Sequence, residues 1–192
     1  MLIDQLAYED HLFEKENFTD ISVRGKEFQS CTFRNCDFAN SSFTANKFLE
    51  CSFDSCNLSM MKLDQSTLND ATFKNCKVLG VNFSKCADFL FSVEFDNCLL
   101  DYSSFLGKKM VKTKFSKCNL KEVTFADAVL TNSTFSECDL TNAVFSQTDL
   151  SSVNFTTAYN FDIDPEINKL KKAVFSMQGL AGLLTKHQLK VV

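Results

Sequence analysis

Residues 31–43 read CTFRNCDFANSSF. Within this stretch Phe33, Phe38 and Phe43 lie five apart, and Cys31, Cys36 and Ser41 each stand two residues ahead of one of them. The spacing continues in both directions, through Phe18, Val23 and Phe28 on one side and through Phe48, Phe53, Leu58, Leu63, Leu68, Phe73, Val78 and Phe83 on the other. After one seven-residue step it resumes at Leu90 and runs by fives to Phe155. All 28 central positions are apolar in a chain that is 45% apolar. Chance would produce this on the order of once in 10¹⁰ trials, so the repeat outranks local propensity.

A helix repeats near 3.6 residues and a strand at 2, so a strict five fits neither and the chain must turn once per repeat. Residues two apart in an extended segment share a face. The small residue and the large one therefore point inward together, while the other three, mostly Ser, Thr, Asn, Asp and Lys, point outward. Each repeat is one short side of a coil.

The segments CTFRNCDFANSSF (31–43), CNLSMMKLDQSTL (56–68) and CDLTNAVFSQTDLSSVNF (138–155) resemble the pentapeptide-repeat proteins, whose pattern is a small residue, a polar one, Leu or Phe, then two polar residues. The resemblance implies an all-β solenoid: a right-handed quadrilateral β-helix of about seven coils over 18–155, followed by a short helical tail. Residues twenty apart should then stack. One side becomes phenylalanine throughout, at Phe33, Phe53, Phe73, Phe95, Phe115, Phe135 and Phe155, provided that the segment between Phe83 and Leu90 holds two extra residues at a corner.

That bulge, within 84–89, is expected to leave Leu90 pointing inward and Phe89 and Phe91 outward as candidate partner-binding residues. Residues 1–17 are expected to cap the amino-terminal end, where unpaired strand edges would otherwise recruit other chains. Past Phe155, Asp164-Pro165-Glu166 predicts a helix start, Ser176 a second helix, and Leu189–Val192 a short strand. With 156–192 as a capping segment, the resemblance implies a homodimer across a two-fold axis, and Leu180, Leu183, Leu184, Leu189 and Val191 are its candidate interface.

The chain has nine cysteines and two histidines, His11 and His187. All nine cysteines occupy the small inward position, which predicts buried, reduced packing residues and a cytoplasmic protein rather than a disulfide framework. The sequence carries no Gly-rich phosphate loop, nucleophile elbow or paired Cys/His ligand spacing, so neither catalysis nor a cofactor or metal is expected. A transmembrane segment is not expected either.

These features predict a non-enzymatic protein-interaction scaffold. The alternative comes from the Qnr and MfpA branches of the same family, whose members bind DNA gyrase or topoisomerase IV by resembling a DNA duplex. Charge discriminates the two. The tail after Asp164 carries five lysines against one glutamate, leaving −8 on the rest of a chain of net charge −4. About 34 Å of duplex carries roughly 20 negative charges. Only the side bearing Asp20, Asp37, Asp101, Glu122 and Asp139 is clearly acidic, so these are the candidate residues for a mimic of type II topoisomerase substrate. The acidic balance argues against direct nucleic-acid binding.

Overall fold

The structure, a computed structural model, describes residues 4–189. It is a parallel β-solenoid with four ladders. The first face stacks Ala7–Glu9, Glu27–Gln29, Lys47–Leu49 and Thr67–Asn69, and the second stacks seven strands from Leu12–Glu14 to Thr134–Ser136. The third is a file of single parallel bridges, Asn17, Asp37, Asn57, Lys77, Leu99, Asn119, Asp139 and Tyr159. The fourth runs Ser22, Ser42, Lys62 and then, after an interruption, Asn82, Ser104, Thr124 and Val144. Pairing is in register, so Phe33 lies against Phe53 and Phe53 against Phe73.

The second face carries the expected phenylalanine column and extends it by a ring at each end, Phe13 below and Phe175 above. Successive rings are nearly parallel, with centroids 4.8 Å apart for Phe33 and Phe53 and 4.9 Å for Phe73 and Phe95. In the upper half the fourth face presents a phenylalanine column too. The two interleave edge to face, as in Phe115–Phe125 at 5.8 Å and 81° and Phe125–Phe135 at 5.7 Å and 82°. Stacked contacts along each column and edge contacts across the core are the two arrangements that the ring quadrupole favours.

Two features explain the polar part of the repeat. The second residue after most central ones adopts a left-handed conformation, for example Asp20, Asn40 and Met60 at φ 59°, 56° and 60°. Such a corner favours residues that tolerate this conformation, which accounts for the frequent Asn, Asp and Ser there. The small inward residue, moreover, is a donor as well as a space filler. Ser66 Oγ donates to Phe43 O at 2.7 Å, Asn46 Nδ2 to Val23 O at 3.0 Å, and Cys56 Sγ to Phe33 O at 3.3 Å. Six cysteines, Cys36, Cys56, Cys76, Cys98, Cys118 and Cys138, form one ladder whose thiols donate to carbonyls of the second-face phenylalanine column.

Three expectations are corrected. Leu90 is exposed with φ 58°, while Phe91 is buried and takes the inward place; only Phe89 among the three points outward as expected. The helix predicted from Asp164 does not form. Residues 164–175 continue the solenoid, with bridges Asp149–Lys169 and Asn154–Val174 and Phe175 stacked on Phe155 at 5.2 Å. Asp164 caps an Asx turn through Glu166 N–H at 2.8 Å, the same local bond that Asp37 makes to Ala39. The second predicted helix is two short 3-10 segments, Gln178–Leu183 and Thr185–His187. Of the predicted terminal strand, only Leu189 lies among the described residues. At the other end, residues 4–17 join the ladders directly, since Tyr8 stacks on Phe28 at 5.6 Å.

Candidate interaction surface

The regular wall is interrupted between Asn82 and Val93. There the chain makes a 3-10 turn at Phe83–Lys85, leaves the first face after Ala87, and returns with Phe91. The excursion projects Phe89, 77% exposed, and Leu90, 55% exposed. With Lys109, Val111 and Thr113 of the next coil, the loop borders an open depression of about 370 Å³. Phe91 turns beneath it, edge-on to Phe83 at 6.5 Å.

The five acidic residues do share the third face or its corner, but their carboxylates differ in availability. Asp20 and Glu122 are exposed corner residues with φ 59° and 56°. Asp37 accepts from Ala39 N–H at 2.9 Å and Asn57 Nδ2 at 3.1 Å, and Asp101 from Lys121 N–H at 2.9 Å. Asp139 is buried. It accepts from Thr141 Oγ1 at 2.6 Å and Asn160 Nδ2 at 2.9 Å, with Lys121 Nζ 3.4 Å away. Between Asp37 and Asp139 the file reads Asn57, Lys77, Leu99, Asn119, so the negative positions are interrupted.

Burial alone would raise the Asp139 carboxyl, but the bonds from Thr141 and Asn160, with Lys121, outweigh it and hold the group below its ordinary value of 3.8. A carboxyl with a lowered native pKa stabilises the fold at pH values above its unfolded pKa and loses that contribution as pH falls through the native value. Asp139→Asn is therefore expected to cost about 1–2 kcal/mol at neutral pH. It should also flatten the loss of stability seen on acidification below about pH 4. Thermal unfolding of both proteins across that range is the measurement, and parallel curves would show that Asp139 contributes nothing to acid sensitivity.

All nine cysteines are free and buried. Burial pushes the Cys51 and Cys86 thiols up to about 12. No group of three or more His, Cys, Asp or Glu among the described residues could hold a metal ion. No helix among them is long and apolar enough to cross a membrane. At the carboxy-terminal end Gly179 and Gly182 lie against the Phe161 ring, where an added Cβ would approach to 2.9 Å and, at the Phe161 carbonyl, 2.3 Å. Of the candidate interface residues there, Leu180, Leu184 and Leu189 are exposed and Leu183 packs against the core. Val191 lies outside the described residues.

Two family models match the chain: pentapeptide repeat region over residues 26–105 and pentapeptide repeats in eight copies over 118–156. The chain belongs to the pentapeptide-repeat family. No curated protein sequence matches it. Two trypsin-treated variants of QnrB1, described as a plasmid-mediated fluoroquinolone resistance protein, match with a TM-score of 0.59 each. They are 17% and 18% identical, and the alignments cover 97% of this chain and 100% and 99% of theirs. HetL, a pentapeptide-repeat protein involved in heterocyst differentiation regulation in the cyanobacterium Nostoc, is 11% identical with a TM-score of 0.32, covering 91% of this chain and 88% of its own. At 17% and 18% identity the likeness to QnrB1 is one of fold.

Sequence reasoning placed the family, the columns and the projecting Phe89. It missed the buried amine of Lys108 beneath the loop, although a lysine at a position that the repeat gives to small inward residues was a visible signal.

Proposed function

We propose that this member of the pentapeptide-repeat family is a non-enzymatic protein-interaction scaffold that binds a folded protein through its outer wall, with the Asp88–Leu90 projection as the principal contact. The observation that carries the reading is Phe89, an aromatic ring 77% exposed at the tip of the loop, with Leu90 55% exposed beside it. Interface energy concentrates on such anchors when a partner pocket receives them. Among the described residues the interior is filled by four columns of rings and aliphatic side chains in contact.

Photo-crosslinking from position 89 identifies the protein that receives the ring, and titration of that purified protein tests the contact. Phe89→Ser should bind it at least tenfold more weakly than the wild type. Equal affinity would remove the loop as the contact, and crosslinking only to a second copy of this chain would replace the reading by self-association. The exposed Leu180, Leu184 and Leu189 support a homodimer through the carboxy-terminal end, which the molar mass in solution tests.

The second reading is a DNA-mimicking binder of DNA gyrase or topoisomerase IV. It rests on the five carboxylates of the third face and on the full-length likeness in fold to QnrB1. The engagement of Asp37, Asp101 and Asp139 by neighbouring groups weakens it. A supercoiling assay at micromolar protein, with and without a quinolone, decides it: neither inhibition nor protection removes this reading and leaves the first standing.

A further inference from the structure

Lys108 occupies the small inward position of its repeat, between Cys86 below and Ala128 above, yet it is 1% exposed. Polar residues elsewhere in this column donate to a carbonyl of the preceding coil: Ser66 to Phe43 O, Thr148 to Phe125 O, Asn168 to Phe145 O. The corresponding carbonyl for Lys108 is that of Phe83, and it is already engaged by Cys86 N–H at 3.0 Å in the 3-10 turn. Lys108 makes no bond to that carbonyl; its amine reaches past it toward the loop.

The loop leaves a second gap. Elsewhere on this face the backbone N–H following each inward small residue donates to the carbonyl of the equivalent residue one coil earlier, as Thr67 does to Asn46 O and Val129 to Lys108 O. The loop breaks this step: among the described residues Lys109 N–H makes no such bond to Cys86 O. That carbonyl instead accepts from Lys108 Nζ at 2.6 Å. The same ammonium donates to Asp88 Oδ1 at 2.6 Å and lies 4.9 Å from the centre of the Phe91 ring. One amine thus meets the carbonyl where the loop departs, the carboxylate within it, and the aromatic face where it returns. An ammonium has three donors and no acceptor, and an aromatic face attracts it when it is desolvated.

We propose that Lys108 is the positioning residue of the interaction surface: it bolts the Asp88–Leu90 excursion to the solenoid and thereby presents Phe89 in a fixed attitude. The importance of that attitude for binding rests on the scaffold reading above; the bolt itself is tested on the protein alone. Buried lysine is otherwise a poor core residue, so its use here is tied to the insertion. Removing Asp88 and Phe89 would restore an uninterrupted repeat, Cys86-Ala87-Leu90-Phe91-Ser92, in which Lys108 has no loop to hold.

The experiment is a cycle between Lys108→Met, which keeps the stem and removes the amine, and that two-residue deletion. In the full-length protein Lys108→Met should speed chymotrypsin cleavage after Phe89 at least tenfold and lower the urea midpoint. In the shortened protein the same substitution should leave the midpoint unchanged or raise it. Cleavage within twofold of wild type would show that the amine does not hold the loop. An equal fall of the midpoint in both backgrounds would show that Lys108 is a general core residue, and either result overturns the proposal. If Lys108→Met alone does not fold, Asp88→Asn supplies the cleavage arm, with an increase of severalfold expected and no change counting against the proposal.

Discussion

Phe95→Ala should be among the most damaging single substitutions in this chain. Phe95 is 1% exposed and lies between Phe73 at 4.9 Å and Phe115 at 5.5 Å, with Phe83 and Phe105 edge-on at 5.8 Å and 5.9 Å. Truncation removes the ring and leaves a void that four rigid neighbours in register cannot close. The expected cost is about 3–5 kcal/mol, against a total stability of about 5–15 kcal/mol for a typical domain. A solenoid adds a second effect. Each coil contacts only its neighbours, so a weak rung in mid-stack uncouples the coils below from those above. Urea unfolding should show a lower midpoint together with a shallower or biphasic transition. A loss below about 1 kcal/mol with an unchanged slope would mean that the column is not what couples the coils. Phe89→Ser, by contrast, should leave the midpoint nearly unchanged, because that ring has little contact to lose.

The second large effect concerns the thiols. The nine cysteines of this 192-residue chain are all buried, as their inward repeat position predicts, and most of their thiols are set against backbone carbonyls. At pH 8 a thiol raised from 9.0 to about 12, like that of Cys51, presents about a thousandth of the usual thiolate. Its sulfur must also be uncovered by local opening before a reagent can reach it. A chromogenic disulfide reagent should therefore label nine thiols within seconds in denaturant and none on that timescale in the native protein, with rates at least 10³-fold apart. Cys138 should lead among the slow reactions, since its interaction with the neighbouring Cys118 thiol holds its pKa below 9.0. Prompt labelling of any thiol in protein that keeps its native circular dichroism would overturn the packing role assigned to the ladder.

The period of five was legible because burial acts on every coil identically, and repetition averages out local preference. What escaped was decided by single long-range partners. Counting by fives through the insertion selects Leu90 as the inward residue, and nothing nearby corrects this. Phe91 wins because its ring fits beneath an amine supplied one coil later, at Lys108. At the other end, Asp164-Pro165-Glu166 has the same local chemistry as a helix start, since the bond from Glu166 N–H to the Asp164 carboxylate serves a helix and a corner alike. The pairs Asn168/Leu170 and Ala173/Phe175 carried the rhythm onward, and stacking on Phe155 outweighed helix propensity in a short segment. The acidic face was placed correctly, but composition cannot tell that Asp139 is covered and bonded to Thr141 and Asn160.

The in-register files also limit how such a chain can change length. Adding or losing twenty residues inserts or removes a full circuit and returns every side chain above it to its own wall. Adding five would rotate the upper circuits by one wall, carrying the leucine file of Leu120 and Leu140 onto the wall of Phe83 and Phe105. Growth of this rod is therefore quantised, and smaller additions are confined to corners, where they can leave the stack as the residues beside Lys108 do.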